Sequence, residues 1–124
     1  MSVLAEISGT GTIEAPSWTF VCRLAELLPN SGAAALVRGC PVAVFRLSED
    51  DVYAIGNVDP FSKASVLSRG IVGDVDGVPV VASPIYKQHF RLDNGQCIED
   101  ADVAVPSYRA LVVDGAVIVE TLEK

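Results

Sequence analysis

Aspartate or asparagine followed by glycine interrupts the apolar runs of this chain at Asp76-Gly77, Asn94-Gly95 and Asp114-Gly115. A two-residue type I′ hairpin turn needs φ > 0 at both central residues, and Asp-Gly and Asn-Gly pairs meet that demand at least cost. A chain punctuated in this way is committed to antiparallel pairing. The runs on either side are short and rich in valine, isoleucine and tyrosine, as strands are. They fall at Trp18–Arg23, Ala34–Val37, Val42–Leu47, Val52–Gly56, Val78–Ala82, His89–Leu92, Gln96–Ile98, Tyr108–Val113 and Ala116–Thr121. Arg38-Gly39-Cys40-Pro41 makes a tight connection, and Ser48-Glu49-Asp50-Asp51 an acidic turn. Two helical turns compete with this pattern, Leu24–Leu28 closed by Pro29 and Ser62–Leu67 with Ser62 as its cap. Both are too short to stand alone. About nine short strands with at most one or two helical turns predict an all-β fold, an antiparallel sandwich or small barrel.

With 124 residues the chain has room for a single domain, 1–124. A domain of this size buries roughly 65% of its unfolded surface, enough for a core without staples. Apolar runs such as Ala33–Val37 and Val42–Phe45 fall far short of the roughly 18 residues a membrane span requires. The opening MSVLAEISGT has no basic region ahead of an apolar stretch, so no secretion signal is read and a cytoplasmic location is expected. Sixteen acids against nine bases give a net charge of −7, which argues against nucleic acid as a partner. Cys22, Cys40 and Cys97 are odd in number and lack a CxxC spacing, so no disulfide is expected. With His89, the only histidine, they number the four ligands that a metal site would need. Zinc sites supply ligands in close pairs, however, and these read instead as small apolar residues and one ordinary histidine.

The segment from Asn57 to Phe90 breaks the hairpin pattern. Two loop tips, 57–63 and 82–88, each carry an X-Pro pair, as Asp59-Pro60-Phe61 and as Ser83-Pro84-Ile85-Tyr86. The residue before a proline is pushed to extended geometry, so each pair projects as a loop tip. Paired loops on a rigid β scaffold are where function concentrates. From Val52 to about Val119 these loops, with Leu67-Ser68-Arg69-Gly70 and Phe90–Cys97 after them, resemble a Rieske-type iron–sulfur domain. That family reads Cys-Pro-His or similar in the first loop and Cys-Pro-x-His in the second. In this chain Asp59 and Ser83 stand at the cysteine positions, and Phe61 and Tyr86 at the histidine positions. A Rieske [2Fe–2S] centre needs two thiolates on one iron and two imidazoles on the other, so no cluster is expected.

The ligandless version is more specifically similar to the small subunit of NAD(P)H-dependent assimilatory nitrite reductase. Asn57–Ser62, Val66–Asp74 and Ser83–Gln88 carry this likeness in order, with Trp18, Leu28-Pro29, Gly32–Val37 and Val42–Arg46 upstream. The resemblance implies an all-β Rieske-like fold, no cofactor in this chain, and a large partner subunit carrying FAD, siroheme and a [4Fe–4S] cluster that reduces nitrite to ammonium. No GxGxxG motif for a dinucleotide is present. No catalytic, cofactor-binding or metal-binding residue is assigned. Phe61, Lys63, Arg69, Tyr86 and Lys87 are the candidate partner interface, because exposed aromatic and basic side chains anchor interfaces. The competing expectation is that Phe61 and Tyr86 turn inward and stack in the space of the lost cluster. Three further readings stand beside it: a mononuclear metal held by Asp59, Ser83 and Tyr86; an electron relay through Trp18, Tyr53, Tyr86 or Tyr108; and a cluster-less module serving another oxidoreductase complex.

Overall fold

In the computed structural model, which describes residues 16–122, nine strands form two antiparallel sheets. They are β1 (Pro16–Arg23), β2 (Ser31–Val37), β3 (Cys40–Arg46), β4 (Val52–Gly56), β5 (Ile71–Val75), β6 (Val78–Ala82), β7 (His89–Arg91), β8 (Ser107–Val113) and β9 (Ala116–Leu122). Six make a curled sheet in the order β1-β9-β8-β4-β3-β2, and three make a smaller sheet in the order β5-β6-β7. Three hairpins turn through pairs with both central residues at positive φ: Arg38-Gly39, Asp76-Gly77 and Asp114-Gly115. That is the type I′ signature. At Asn94-Gly95 only the glycine takes positive φ, and the turn is wider, with the Gly95 N–H donating to the Arg91 carbonyl at 2.9 Å.

Strand β3 explains why the chain needs an uninterrupted apolar run in its first half. Val42, Ala43, Val44 and Phe45 are all buried. Successive residues of a strand face opposite sides, so Val42 and Val44 enter one core and Ala43 and Phe45 the other. The first core, inside the curled sheet, joins them to Leu27, Val37, Ala54, Val117 and Val119. The second, between the two sheets, gathers Ile55, Leu67, Val81, Phe90, Leu92, Cys97 and Val105 around Ala43 and Phe45. The neighbouring strand β4 divides the same way, with Ala54 on one side and Ile55 on the other.

Four expectations need correction. Ile71–Val75, not expected as a strand, pairs with β6 across Asp76-Gly77. Gln96–Ile98, expected as a strand, is reduced to isolated bridges, Phe90 to Cys97 and Gln96 to Ala104. The Gln96 amide bonds to the carbonyls of Ala101 and Val103 and so gathers the following loop around itself. The segment Ser62–Leu67 is not helical: Val58 bridges Ser65, the Ser62 hydroxyl accepts from the nearby Ala64 N–H, and a 3-10 turn begins later, at Leu67–Arg69. The other helical turn is a short 3-10 segment, Leu24–Glu26. Strand β2 also starts earlier than its alternation suggested, because Gly32 belongs to it for a packing reason. A Cβ there would meet the Phe45 ring at 2.6 Å and the Ser68 carbonyl at 2.9 Å.

Candidate functional site

One loop leaves β4 and the other leaves β6, so each sheet contributes one, and they meet through their first residues. The Ser83 hydroxyl donates to the Asp59 carboxylate at 2.5 Å, across 24 residues of sequence, with both residues buried. Each loop is the same turn. The first residue's N–H donates to the carbonyl five residues on: Asp59 to Ala64 at 2.8 Å, Ser83 to Gln88 at 2.9 Å. Its carbonyl accepts from the fifth residue of the loop, from Lys63 at 2.7 Å and from Lys87 at 3.1 Å. Its side-chain oxygen accepts from the N–H two residues on, Phe61 to Asp59 at 2.8 Å and Ile85 to Ser83 at 3.2 Å. Both lysines take the left-handed conformation, at φ 67° and 69°. The X-Pro pairs thus open two equivalent turns, joined head to head by a carboxylate–hydroxyl clasp.

Burial by itself would raise the Asp59 carboxyl. The Ser83 hydroxyl and the Phe61 and Ser62 N–H groups outweigh it and hold the acid below the usual carboxylate range. The clasp is therefore a charge-assisted bond, and such bonds are short and strong.

Beneath the first loop, Asn57 is a buried positioning residue. Its side-chain oxygen accepts from the Ser68 N–H at 2.7 Å and its amide donates to Ser65 Oγ at 2.9 Å. Its own N–H bonds to the Pro41 carbonyl and its carbonyl accepts from Leu67. Sequence reasoning gave Asn57 no role; the available signal was an amide placed directly after a strand and two residues ahead of Asp-Pro. Gly70 fixes the approach of the 3-10 turn to the second loop, since a Cβ there would overlap the Ala82 carbonyl at 2.3 Å.

The aromatic residues of the two loops part company. Phe61 is half-buried and packs on Phe90, with ring centroids 6.4 Å apart and tilted by 45°, so its ring partner is Phe90 and not Tyr86. Tyr86 points outward, 58% exposed, beside Ile85 at 45%. Lys63, Arg69 and Lys87 are exposed. The remaining candidates lie elsewhere. Trp18 is on the outer face of β1, with the Arg109 guanidinium 5.5 Å from its ring centroid. Tyr53 and Tyr108 pack against different cores. Cys22 and Cys40 flank the core inside the curled sheet, while Cys97 is buried in the other core. His89 Nδ1 lies 2.6 Å from Glu99, whose carboxylate also accepts the His89 N–H at 2.8 Å.

The sequence profile of the Rieske-like [2Fe-2S] domain matches residues 17–120. The nitrite reductase (NADH) small subunit of Salmonella typhimurium is 48% identical over 101 residues, covering 81% of this chain and 94% of that protein. The chain belongs to the Rieske-like nitrite reductase small-subunit family. A crystal structure described as an NADH-dependent nitrite reductase small subunit from Mycobacterium tuberculosis superposes on this family member with a TM-score of 0.85. Its sequence is 46% identical, and the match covers 89% of this chain and 99% of that one. A Klebsiella oxytoca protein named nitrite reductase [NAD(P)H] large subunit is 38% identical over 116 residues, which span 92% of this chain but 12% of that protein.

The family's [2Fe-2S] cluster does not fit the residues of this member. At the positions that the resemblance sets against the two thiolates, Asp59 and Ser83 offer only oxygen atoms, and these are bonded to each other at 2.5 Å. At the positions that the resemblance sets against the two imidazoles, the Phe61 ring has no donor atom and packs against Phe90, while Tyr86 faces outward. Hard oxygen donors are in any case poor substitutes for thiolate on iron–sulfur centres.

Proposed function

We propose that this chain is the small subunit of a cytoplasmic NAD(P)H-dependent assimilatory nitrite reductase and performs no chemistry of its own. In this reading FAD, siroheme and a [4Fe–4S] cluster reside on the large subunit and reduce nitrite to ammonium, and this chain carries no cofactor. It stabilises or orients the large subunit through the paired loops, with Tyr86, Lys63, Arg69 and Lys87 facing the partner and Phe61 supporting them from below. One observation carries the proposal: the same domain occurs as a separate small subunit in Salmonella and as 12% of a single large-subunit chain in Klebsiella. A domain that can be a separate chain in one system and covalently part of the large subunit in another works beside that subunit. Covalent linkage raises the effective concentration of a contact that a separate subunit must make on its own.

Affinity capture of tagged protein from its own cells, grown on nitrite, tests this. The expected eluate contains a large, siroheme-coloured partner and consumes nitrite with NADH or NADPH. A colourless lone protein with no nitrite loss refutes the assignment.

A further inference from the structure

Apart from the buried Asp59, the segments 57–71 and 82–90 contain no acidic residue, while Lys63, Arg69 and Lys87 are exposed there. The chain as a whole carries −7. Glu99 meets these segments at His89, and the loop end itself presents three exposed cations on an anionic chain. Lys63 and Lys87 occupy the equivalent fifth position of the two turns, at φ 67° and 69°. Glycine or asparagine adopts that backbone conformation with less strain, so turn geometry alone does not account for lysine at both. On the second loop, directly ahead of Lys87, Ile85 and Tyr86 stand exposed at 45% and 58%. The other apolar face has a different character. On the outer side of β1, β9 and β8, Phe20 lies opposite Ile118 and Ile118 opposite Leu111, but the charged groups beside them, Arg109 and Glu120, pair with each other. At the loop end, by contrast, no ion pair with a described acid engages Lys63, Arg69 or Lys87.

We propose that the large subunit receives this domain on a carboxylate-bearing surface with an apolar recess, the carboxylates meeting Lys63, Arg69 and Lys87 and the recess taking Tyr86 and Ile85. The proposal rests on the small-subunit reading and adds the chemistry of the partner's face to it. A domain with separated charge is oriented by its partner's field during approach, so the cationic end arrives first. The aromatic anchor then supplies the water-excluded contact that slows dissociation.

Equilibrium binding of the full chain to the cofactor-loaded large subunit, titrated between about 20 and 300 mM NaCl, tests this because the Debye length shrinks severalfold across that range. Wild-type affinity is expected to fall as salt rises. The double variant Lys63→Glu/Lys87→Glu is expected to bind about 100-fold more weakly at the lowest salt and to lose that salt dependence. Tyr86→Ala weakens binding about tenfold with the salt slope kept, and Phe20→Ser on the sheet face binds as wild type. Thermal midpoints of the variants, measured alongside, confirm that exposed substitutions leave the fold intact. A double variant that binds within about twofold of wild type with the same slope overturns the proposal and leaves the small-subunit reading standing. So does loss of binding in Phe20→Ser alone. A wild-type chain that fails to bind even at the lowest salt overturns both.

Discussion

The Asp59–Ser83 clasp makes a quantitative prediction about stability. Asp59 is fully buried and accepts two well-formed hydrogen bonds, from Ser83 Oγ at 2.5 Å and Phe61 N–H at 2.8 Å, with a longer third from Ser62 N–H at 3.4 Å. A hydrogen bond to a charged group contributes about 1.5–3 kcal/mol, and a buried donor left unpaired costs a similar amount. Asp59→Ala should therefore destabilise by about 3–5 kcal/mol, and Ser83→Ala, which removes one bond to the carboxylate, by about 1.5–3 kcal/mol. The bond is lost only once, so the double variant should sit close to Asp59→Ala alone. The coupling energy is then about 1.5–3 kcal/mol, well above the roughly 0.5 kcal/mol scatter of independent sites. Urea unfolding followed by circular dichroism measures all four corners of the cycle, provided the slopes agree so that midpoints report stability. Asp59→Asn retains an acceptor for the Phe61 N–H and an amide that can donate to Ser83, so it should lose less than Asp59→Ala. Additive single variants would refute the clasp.

The same carboxyl sets a pH dependence. Its folded-state value lies below its unfolded value of about 3.9, so the unfolded chain takes up the proton first. The stabilisation is whole above about pH 5 and is lost as pH falls through the folded value. Urea midpoints between pH 6 and 3 should consequently drop less in Asp59→Asn than in wild type, and equal drops would exclude Asp59 as the source. Phe61→Ala should lower stability by about 2 kcal/mol in thermal melts, less than a fully buried phenylalanine because the ring is half-buried on Phe90. Gly70→Ala forces a Cβ into the Ala82 carbonyl at 2.3 Å and should cost about 1–3 kcal/mol, read from the same melts. Purified wild type should be colourless with iron far below one atom per chain. Visible charge-transfer absorbance that tracks iron content would contradict the loop chemistry.

Much of this fold was written in local signals, and the parts that were not share a cause. Asp76-Gly77 and Asp114-Gly115 specify their turns within two residues, so both turns were legible, and at Asp114-Gly115 both flanking strands as well. Strand β5 was not: Gly73 and Asp74 are poor strand formers, and Ile71–Val75 is extended because β6 lies beside it. Gln96–Ile98 has a strand's composition, yet the Gln96 side chain claims the carbonyls of the loop that follows. At the site, Asp59, Phe61, Ser83 and Tyr86 could be singled out from the X-Pro frame together with its resemblance to the Rieske loops. Their directions could not. Phe61 and Tyr86 are both aromatic, on equivalent turns, but one sits two residues after its turn begins and the other three, which sends one ring inward and the other out. The Asp59–Ser83 bond joins loops that leave different sheets, and no local pattern announces a partner 24 residues away.

Strand β3 has a consequence for how the molecule comes apart. Because Val42 and Val44 belong to one core and Ala43 and Phe45 to the other, the two cores share a wall one strand thick. A one-residue slip of β3 exchanges the two sets of side chains. Phe45 would then be thrust among the small residues inside the curled sheet, and Val44 would be left to fill a space shaped for a ring. Neither core can melt and leave the other whole. Both loops abut the core between the sheets, where Phe61, Leu67 and Val81 pack, so the tip geometry should vanish in the same cooperative transition as the two sheets, with no half-folded stage in which one loop survives alone.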